Sequence, residues 1–473
     1  MGPAPHPRRI LIVGGGPCGL VTLRNCLYRG DFEQVELVER REKIGGVWCR
    51  IHDDAKGRRP RWDSPVYPGL IGNVLPEFLS FSEHSFPTPP GAPKQPFPNV
   101  KETFAYLQEF SRPFLEQGRI RLNHEVLSVE EIDGSGGWRV IMRDWSAAGE
   151  MKVEIWDAVV ITTVWFDNPY FPSVDGLNEE LIQTGKIKHA KTWKGPRGYE
   201  GKRVMVIGNA NSANDMAAQL APVGQLPVYR SMRRVSIFPS IPDDRIEDVG
   251  TVTQYKFNST TAGQGNITVE VGDRTIRDID YVLFGTGYYP DVPYLRVLDP
   301  SSPTQEEKVA RQLRPLTSPT VQPVRIPFLF RQVLYAHNPS LAFTGAVISF
   351  IPFAMADLTS TWLSLVWSGH IEIPVDVEDR LDDEQKRLEE LHTLRSETDN
   401  PSDLVSFHFL GRYELPYAQI IRRYIVQAKP DLDDVLLKWD DKQDGRRFGM
   451  YATKLDSLYV VAGKEKPVAE EQS

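Results

Sequence analysis

Two short glycine-bearing runs carry the clearest chemistry in the chain. The first is Gly14-Gly15-Gly16-Pro17-Cys18-Gly19. Its spacing suits a diphosphate: Gly14 allows a sharp turn, Gly16 lets backbone amides approach the charge, and Gly19 lets a helix pack closely on a strand. A helix opening there aims unsatisfied N–H groups and the positive end of its dipole at the same spot. Glu39 follows about 20 residues after Gly19, where an acid takes ribose hydroxyls. The second run is Gly208-Asn209-Ala210-Asn211-Ser212-Ala213. Its middle glycine is replaced by Ala210, whose methyl would move a diphosphate slightly outward without blocking it. Where the first run is followed by Glu39, the second is followed by Arg233, with Arg230, Ser231 and Arg234 beside it. An acid repels a ribose 2′-phosphate and arginines attract it, so the second site is assigned to NADPH. The bland alternatives are a glycine-rich structural turn for the first run and a solvated basic strand end for the second.

Two dinucleotide sites in one chain imply a flavin at the first and NADPH at the second, with hydride passing between them. Three cysteines are present, Cys18, Cys26 and Cys49, and no CxxC. A disulfide-reducing flavoenzyme needs a cysteine pair, so dioxygen is the expected electron acceptor. His52, Asp53 and Asp54 fit no standard metal spacing, and no metal is expected.

The rest of the chain has to hold these loops in place. At 473 residues, with 41% hydrophobic and 25% charged, it is an ordinary globular protein of two or three domain-sized units. Lys plus Arg number 55 against 63 Asp plus Glu, for a net charge of −8. That balance lacks the basic footprint of a nucleic-acid binder. The apolar run Ile10–Val13 is too short for a signal peptide. The uncharged stretch Gln332–Ala356 is broken by His337, Asn338, Pro339 and Pro352, so it reads as a buried strand, Leu341–Phe343, and a core helix rather than a membrane span. A cytoplasmic location follows from the low, odd cysteine count. Oligomeric state is not readable, and a homodimer stays open.

The pattern reads as strand Ile10–Val13, a helix to about Tyr28 and strand Gln34–Glu39, then an irregular, aromatic-rich insertion over 51–100 and a helix over Phe104–Leu115. Alternating runs at Arg119–Leu122, Glu125–Glu131, Trp138–Arg143 and Met151–Ile155 form a meander, closed by strand Ala158–Ile161. The plan then repeats: strand Lys202–Ile207, helix to Leu220, strand Pro227–Arg230, runs Thr251–Phe257 and Ile267–Val271, and closing strand Tyr281–Phe284. The closing segments are alike, DAVVITTVWFDNP and DYVLFGTGYYP. The fold class is α/β with two Rossmann-like dinucleotide-binding domains of three-layer ββα type, the NADPH domain inserted within the FAD domain. The boundaries are 1–165 and 286–473 for the FAD domain and 166–285 for the NADPH domain. Residues 375–400 read as a solvated helix and loop, and 461–473 as a frayed tail.

Taken together, these residues resemble the class B flavoprotein monooxygenases, close to the flavin-containing monooxygenases and with some Baeyer–Villiger features. The resemblance covers roughly residues 8–374. It is carried by Gly14–Gly19, Gly45-Gly46-Val47-Trp48, NVLPEFLSFSEHSFP (Asn73–Pro87), the histidine fingerprint ending at His189 and Trp193, GKRVMVIGNANSANDMA, FGTGY and SLAFTGAV. It implies FAD contacts from Gly14, Gly16, Pro17, Cys18, Gly19, Glu39, Arg40, Gly46, Val47 and Trp48. For NADPH it implies Gly208, Asn211, Ser212, Arg230, Ser231, Arg233, Thr286 and Gly287. Asn73 matches the family's asparagine at the flavin face and is the one catalytic candidate. His189 is implied to organise the interdomain linker. The chain departs from the pattern at Gln183, where the fingerprint has Phe, and at Thr162-Thr163-Val164, where it has Ala-Thr-Gly. Trp193 is the Baeyer–Villiger ending, but Tyr67-Pro68-Gly69 falls too late for the companion motif.

The implied reaction inserts one oxygen atom from O2 into a small organic substrate through a C4a-(hydro)peroxyflavin, as N- or S-oxygenation. The alternatives are Baeyer–Villiger oxidation of a ketone, a flavin-dependent NADPH reductase or dehydrogenase, and a non-catalytic NADP(H) sensor. The insertion and Ser349–Thr361 are expected to shape the pocket.

Overall fold

The computed structural model describes residues 5–49, 60–134, 136–259, 265–300, 311–318, 320–398 and 405–467. The chain opens with β1 (Arg9–Val13), α1 (Pro17–Arg29) and β2 (Gln34–Val38). After α2 (Val100–Glu116) come β3 (Ile120–Arg121), β4 (His124–Glu131), β5 (Trp138–Asp144), β6 (Glu150–Trp156) and β7 (Ala158–Ile161). The middle of the chain holds α3 (Glu179–Gln183), β8 (Ile187–His189), β9 (Arg203–Ile207), α4 (Asn211–Leu220), β10 (Gln225–Ser231) and β11 (Ile246–Val249). Next are β12 (Val252–Ser259), β13 (Gly265–Val271), β14 (Arg274–Ile279) and β15 (Tyr281–Phe284). β16 (Leu295–Leu298), β17 (Leu313–Pro315), β18 (Leu329–Phe330), β19 (Leu334–Tyr335) and β20 (Leu341–Phe343) lead to α5 (Pro352–Trp367), α6 (Val377–Ser396), α7 (Glu414–Ala428) and α8 (Asp441–Ala462).

A seven-stranded sheet runs β18-β19-β20-β7-β1-β2-β3, and a five-stranded one runs β11-β10-β9-β15-β8. The central strands are parallel, β1 between β2 and β7, β9 between β10 and β15. Strand periodicity sorts their side chains. Ile10 and Ile12 face a core with α1, α2 and α5, while Leu11 and Val13 face Trp138, Val140 and Met142 of the β4–β6 layer. In the second unit Val204 and Val206 face Ala213, Met216 and Leu220 of α4, and Met205 and Ile207 face Tyr255, Ile267 and Val269 of the β12–β14 layer. Both units are therefore three-layer ββα sandwiches, and the second lies in sequence between β7 and β18–β20 of the first.

Three expectations change. β3 pairs parallel with β2 at the edge of the large sheet, not with the meander, because Leu37 and Val38 present an open ladder to Ile120 and Arg121. The charged helix α6 is not simply solvated: Arg380, Glu384, Arg387 and Leu391 are buried, and Glu384 holds Arg325 at 2.6 Å. Helices α7 and α8 carry interrupted apolar patterns that sequence periodicity does not reveal. The frayed tail expected over 461–473 starts later, because Val461 and Ala462 are the last residues of α8; residues 468–473, and His52, Asp53 and Asp54, lie outside the described residues.

The cradle helix α1 is fastened to α5 by a buried charge cluster. Asp357 accepts from Arg24 at 2.9 Å, Asn25 at 3.0 Å, and both the backbone N–H and hydroxyl of Ser82 at 2.6 Å; Arg29 stands at 3.4 Å. Burial acts to raise its pKa, and the two guanidiniums with the Ser82 and Asn25 bonds outweigh it, so the carboxylate stays below its ordinary range. Removing one member of a buried pair strands the others, at a cost of about 3–5 kcal/mol. Asp357→Ala is expected to lower the thermal unfolding midpoint by several degrees, and Asp357→Asn by less. A calorimetric scan of both checks this, and an unchanged midpoint for the alanine variant contradicts it.

Candidate functional site

The two loops share one geometry. Gly14 has φ +113° and Gly208 φ +116°, values that glycine alone adopts easily. Each donates its N–H to the end of the neighbouring strand at 2.9 Å, Gly14 to Val38 and Gly208 to Ser231. The N-cap residues are extended in both, Gly16 at φ −78°, ψ 179° and Ala210 at φ −87°, ψ −179°. Ala210 thus leaves the backbone path unaltered. No side chain caps α1 or α4 and no acid lies in either first turn, so both N-termini remain suited to an anion.

Close packing fixes the first loop. A Cβ at Gly19 would lie 1.9 Å from the Gly14 carbonyl oxygen, and one at Gly14 would lie 2.6 Å from Thr162 Oγ1 and from Thr163 Cγ2. The Thr162-Thr163 departure is accommodated: the Thr162 hydroxyl donates to Val13 O at 2.8 Å, and Thr163 bonds Tyr294 at 2.6 Å. The 310 turn Gly46–Trp48, which contains Val47, closes over the loop, with Gly45 N–H on Gly15 O at 2.7 Å. A Cβ on Gly46 would stand 2.8 Å from Gly16 Cα. Pro17 occupies the first turn of α1. Cys18 lies behind the cradle against Gly345, and burial pushes its thiol up to about 11, leaving it inert. Glu39 is buried at the loop; one carboxylate oxygen accepts from Gly15 N–H at 2.8 Å, the other from Arg41 N–H at 2.9 Å. Arg40 is paired with Asp167 at 2.6 Å and lies over Trp62. These residues fit the diphosphate and ribose of a dinucleotide.

At the second loop Asn211 and Ser212 form the first turn of α4. Arg230 grips Asp248 with two bonds, 2.6 and 2.8 Å, and Asn214 at 2.9 Å. Ser231 turns its hydroxyl inward to Gly250 O at 2.9 Å. Arg233 is exposed beyond that strand end. Thr286 and Gly287 meet the other crossing: the Thr286 hydroxyl donates to Tyr170 O, and Tyr170 N–H donates to Gly287 O at 2.9 Å. His189 packs against Phe171 and Tyr288 at 5.5 and 5.2 Å, and burial lowers its pKa to about 4, so it stays neutral. Asn73 sits exposed on the turn between Tyr67 and the 310 turn Pro76–Phe78.

Several residues near the loops gave no sequence signal. Trp165 bonds the carbonyls of Gly345 and Ala346 at 3.1 and 3.2 Å, tying the β20–α5 connection to the first crossing. The Tyr67 hydroxyl bonds Asp215 on α4, and the Lys194 ammonium bonds the Ser64 carbonyl. None of these residue types announces such pairing across so many positions. A cavity lined by Trp362, Ile371, Asp383 and Tyr424 involves neither loop. Among the described residues no cluster could hold a metal ion, and no helix is long and apolar enough to cross a membrane.

Residues 7–240 match the family FMO-like, flavin-binding monooxygenase-like. The chain is similar to that family over those residues, just under half of its length. It is a flavoprotein monooxygenase, and FAD and NADPH are the cofactor pair of this group. Flavin-containing monooxygenase FMO GS-OX3 of Arabidopsis thaliana is 27% identical over 382 residues, 78% of this chain and 75% of that protein. Among solved structures, S-allyl-L-cysteine S-oxygenase from Allium sativum superposes with a TM-score of 0.69 at 21% identity, over 95% of this chain and 98% of that one. The open structure of cyclohexanone monooxygenase gives 0.56 at 13% identity, over 89% and 98%. The two-unit architecture is therefore that of flavin monooxygenases.

Two substitutions test the cradles. Gly19→Ala forces its methyl into the Gly14 carbonyl and is expected to yield protein with little bound flavin, read from absorbance after purification. Charge-assisted hydrogen bonds contribute about 1.5–3 kcal/mol. Arg233→Ala is accordingly expected to raise KM for NADPH roughly ten- to a hundredfold and to leave KM for NADH little changed. Arg230→Ala, whose partner is Asp248, should shift the ratio far less; an equal shift in both variants would contradict the assignment.

Proposed function

We propose that the protein is an FAD- and NADPH-dependent monooxygenase that transfers one oxygen atom of O2 to a soft nucleophile, a sulfide or amine, in a small organic substrate. The observation that carries this reading is the matched pair of glycine loops, one followed by Glu39 and the other by Arg233. The names of the relatives support sulfur as the acceptor. Bound flavin would supply the redox chemistry, taking hydride from NADPH and passing electrons to O2.

The chain's own groups do the rest. The Gly14–Gly19 loop and the N-terminus of α1 hold one diphosphate, with Glu39 at the ribose. The Gly208–Ala213 loop and α4 hold the other, with Arg233 on the 2′-phosphate. We place FAD on the unit of 1–165 and 286–473 and NADPH on 166–285. Asn73 presents an amide that donates to and accepts from a polar flavin edge or oxygen. Hydrogen bonds at the crossings, from Trp165 to the Gly345 and Ala346 carbonyls and from Thr286 to the Tyr170 carbonyl, hold the connections between the units in place. The Baeyer–Villiger alternative leans on Trp48 and Trp193; Trp193 is buried against Tyr199 in the core of the second unit, where packing accounts for it. Three unpaired cysteines agree with a reducing, cytoplasmic setting.

The deciding experiment is anaerobic titration of the purified, flavin-loaded protein with NADPH, followed by 18O2 and a panel of sulfides, amines and ketones. Flavin bleaching and one 18O atom in a sulfoxide or N-oxide are expected. Protein that binds no flavin, or flavin that NADPH leaves oxidised, refutes the proposal; an ester product shifts it to the Baeyer–Villiger reaction.

A further inference from the structure

The turn that carries Asn73 is gripped from two sides. On one side, Tyr67 reaches across to Asp215 on α4, the helix of the second cradle. On the other, Lys454 of α8 donates its ammonium to the carbonyls of Gly72 at 2.7 Å and Ile71 at 3.3 Å, the residues just before Asn73. Lys454 is 9% exposed and lies 5.0 Å from the Phe97 ring. One helical turn earlier Met450 receives the Leu75 N–H at 3.5 Å, on the other flank of Asn73. The same helix buries the Tyr451 and Ser457 hydroxyls without a partner among the described residues. A purely apolar packing face would carry none of these polar groups.

We propose that Lys454 is a positioning residue for the Asn73 turn, and that with Tyr67 and Asp215 it links that turn to the helix beneath the bound nicotinamide cofactor. This rests on the monooxygenase reading above. The ammonium is held within bonding distance of two backbone carbonyls, so it fixes the turn's path rather than touching a reacting atom. Burial lowers the Lys454 pKa to about 8, with Asp215 pulling the other way. Burial also raises Asp215 and, aided by Asp215, Tyr67. Asp215 of α4 is the titratable group whose charge reaches Lys454 from a packed element, and it accepts from Tyr67 of the turn; Tyr451 precedes Lys454 on α8. The Lys454 charge is present below about pH 8 and is lost above it, so the grip weakens as pH rises.

The test compares the holoenzyme with Lys454→Met, Lys454→Arg, Tyr67→Phe and Asn73→Ala. Amide hydrogen exchange of the 67–78 peptide reads the turn directly. Exchange is expected to rise several-fold in Lys454→Met, to rise less in Tyr67→Phe, and to stay near wild type in Lys454→Arg. NADP+ should protect the peptide in the wild type and lose that effect in Tyr67→Phe. During turnover, the fraction of NADPH oxidised with release of H2O2 (NADPH, O2 and a proton giving NADP+ and H2O2) should climb as pH passes about 8 in the wild type. The inflection should vanish in Lys454→Arg, and the fraction should be high throughout in Lys454→Met. Wild-type exchange and peroxide release in a folded, flavin-loaded Lys454→Met overturn the proposal. Product yield in Asn73→Ala tests the underlying reading separately: an unchanged yield removes Asn73 from the reaction, whatever the exchange data show.

Discussion

The structure depends on how closely a helix can approach the strand that precedes it. At Gly19 there is no room for a single methyl, since the Gly14 carbonyl oxygen already occupies its place. That approach sets the direction of α1, aims its N-terminus into the loop, and lets the Gly45–Gly46 turn settle on Gly16. The second unit solves the same problem with Ala213 in place of Gly19. The difference is made up on the opposite strand, where Gly285 abuts Ala213 so tightly that its own Cβ would fall 2.7 Å from the alanine methyl. One glycine per cradle is indispensable at this seam, on helix α1 in the first and just after β15 in the second.

Much of this was legible in the residues. Parallel core strands such as Ile10–Val13 and Val204–Ile207 are continuous apolar runs that end in glycine, as strands buried on both faces do. The repeat was legible because loop, helix and closing strand recur in one order. The positive φ of Gly14 and Gly208 is one that glycine adopts without steric cost, whereas Gly16 stays extended. Asn73 was reached through the family resemblance, not through any local pattern.

What was not legible depends on long-range partners. Arg230 reads as an open cation, but Asp248 stands on β11, and the register of β10 against β11 that brings them together is not written in either strand. Ser231 reads as a nucleotide contact, and the structure turns its hydroxyl inward to the Gly250 carbonyl. Helix α6 looked solvated because its charges outnumber its apolar residues, yet Arg380, Glu384 and Arg387 find buried partners from distant segments. Lys454 sits in a helix whose apolar stripe is interrupted, and its meaning appears only when the Gly72 carbonyl is beside it. Burial of a paired charge is invisible to periodicity, because the pattern is scored one residue at a time and the pairing is not.

The Asp357 cluster has a consequence for the order in which the molecule is made. Its carboxylate joins α1 to a helix encoded more than three hundred residues later, and β20 completes the large sheet from the same distant stretch. A nascent chain leaving the ribosome can finish the inserted unit, residues 166–285, while the flanking one still lacks its inner edge and its salt-linked brace. Vectorial synthesis therefore matures the nested sandwich before the one that encloses it, and the amino-terminal nucleotide loop waits for the carboxy-terminal half to arrive.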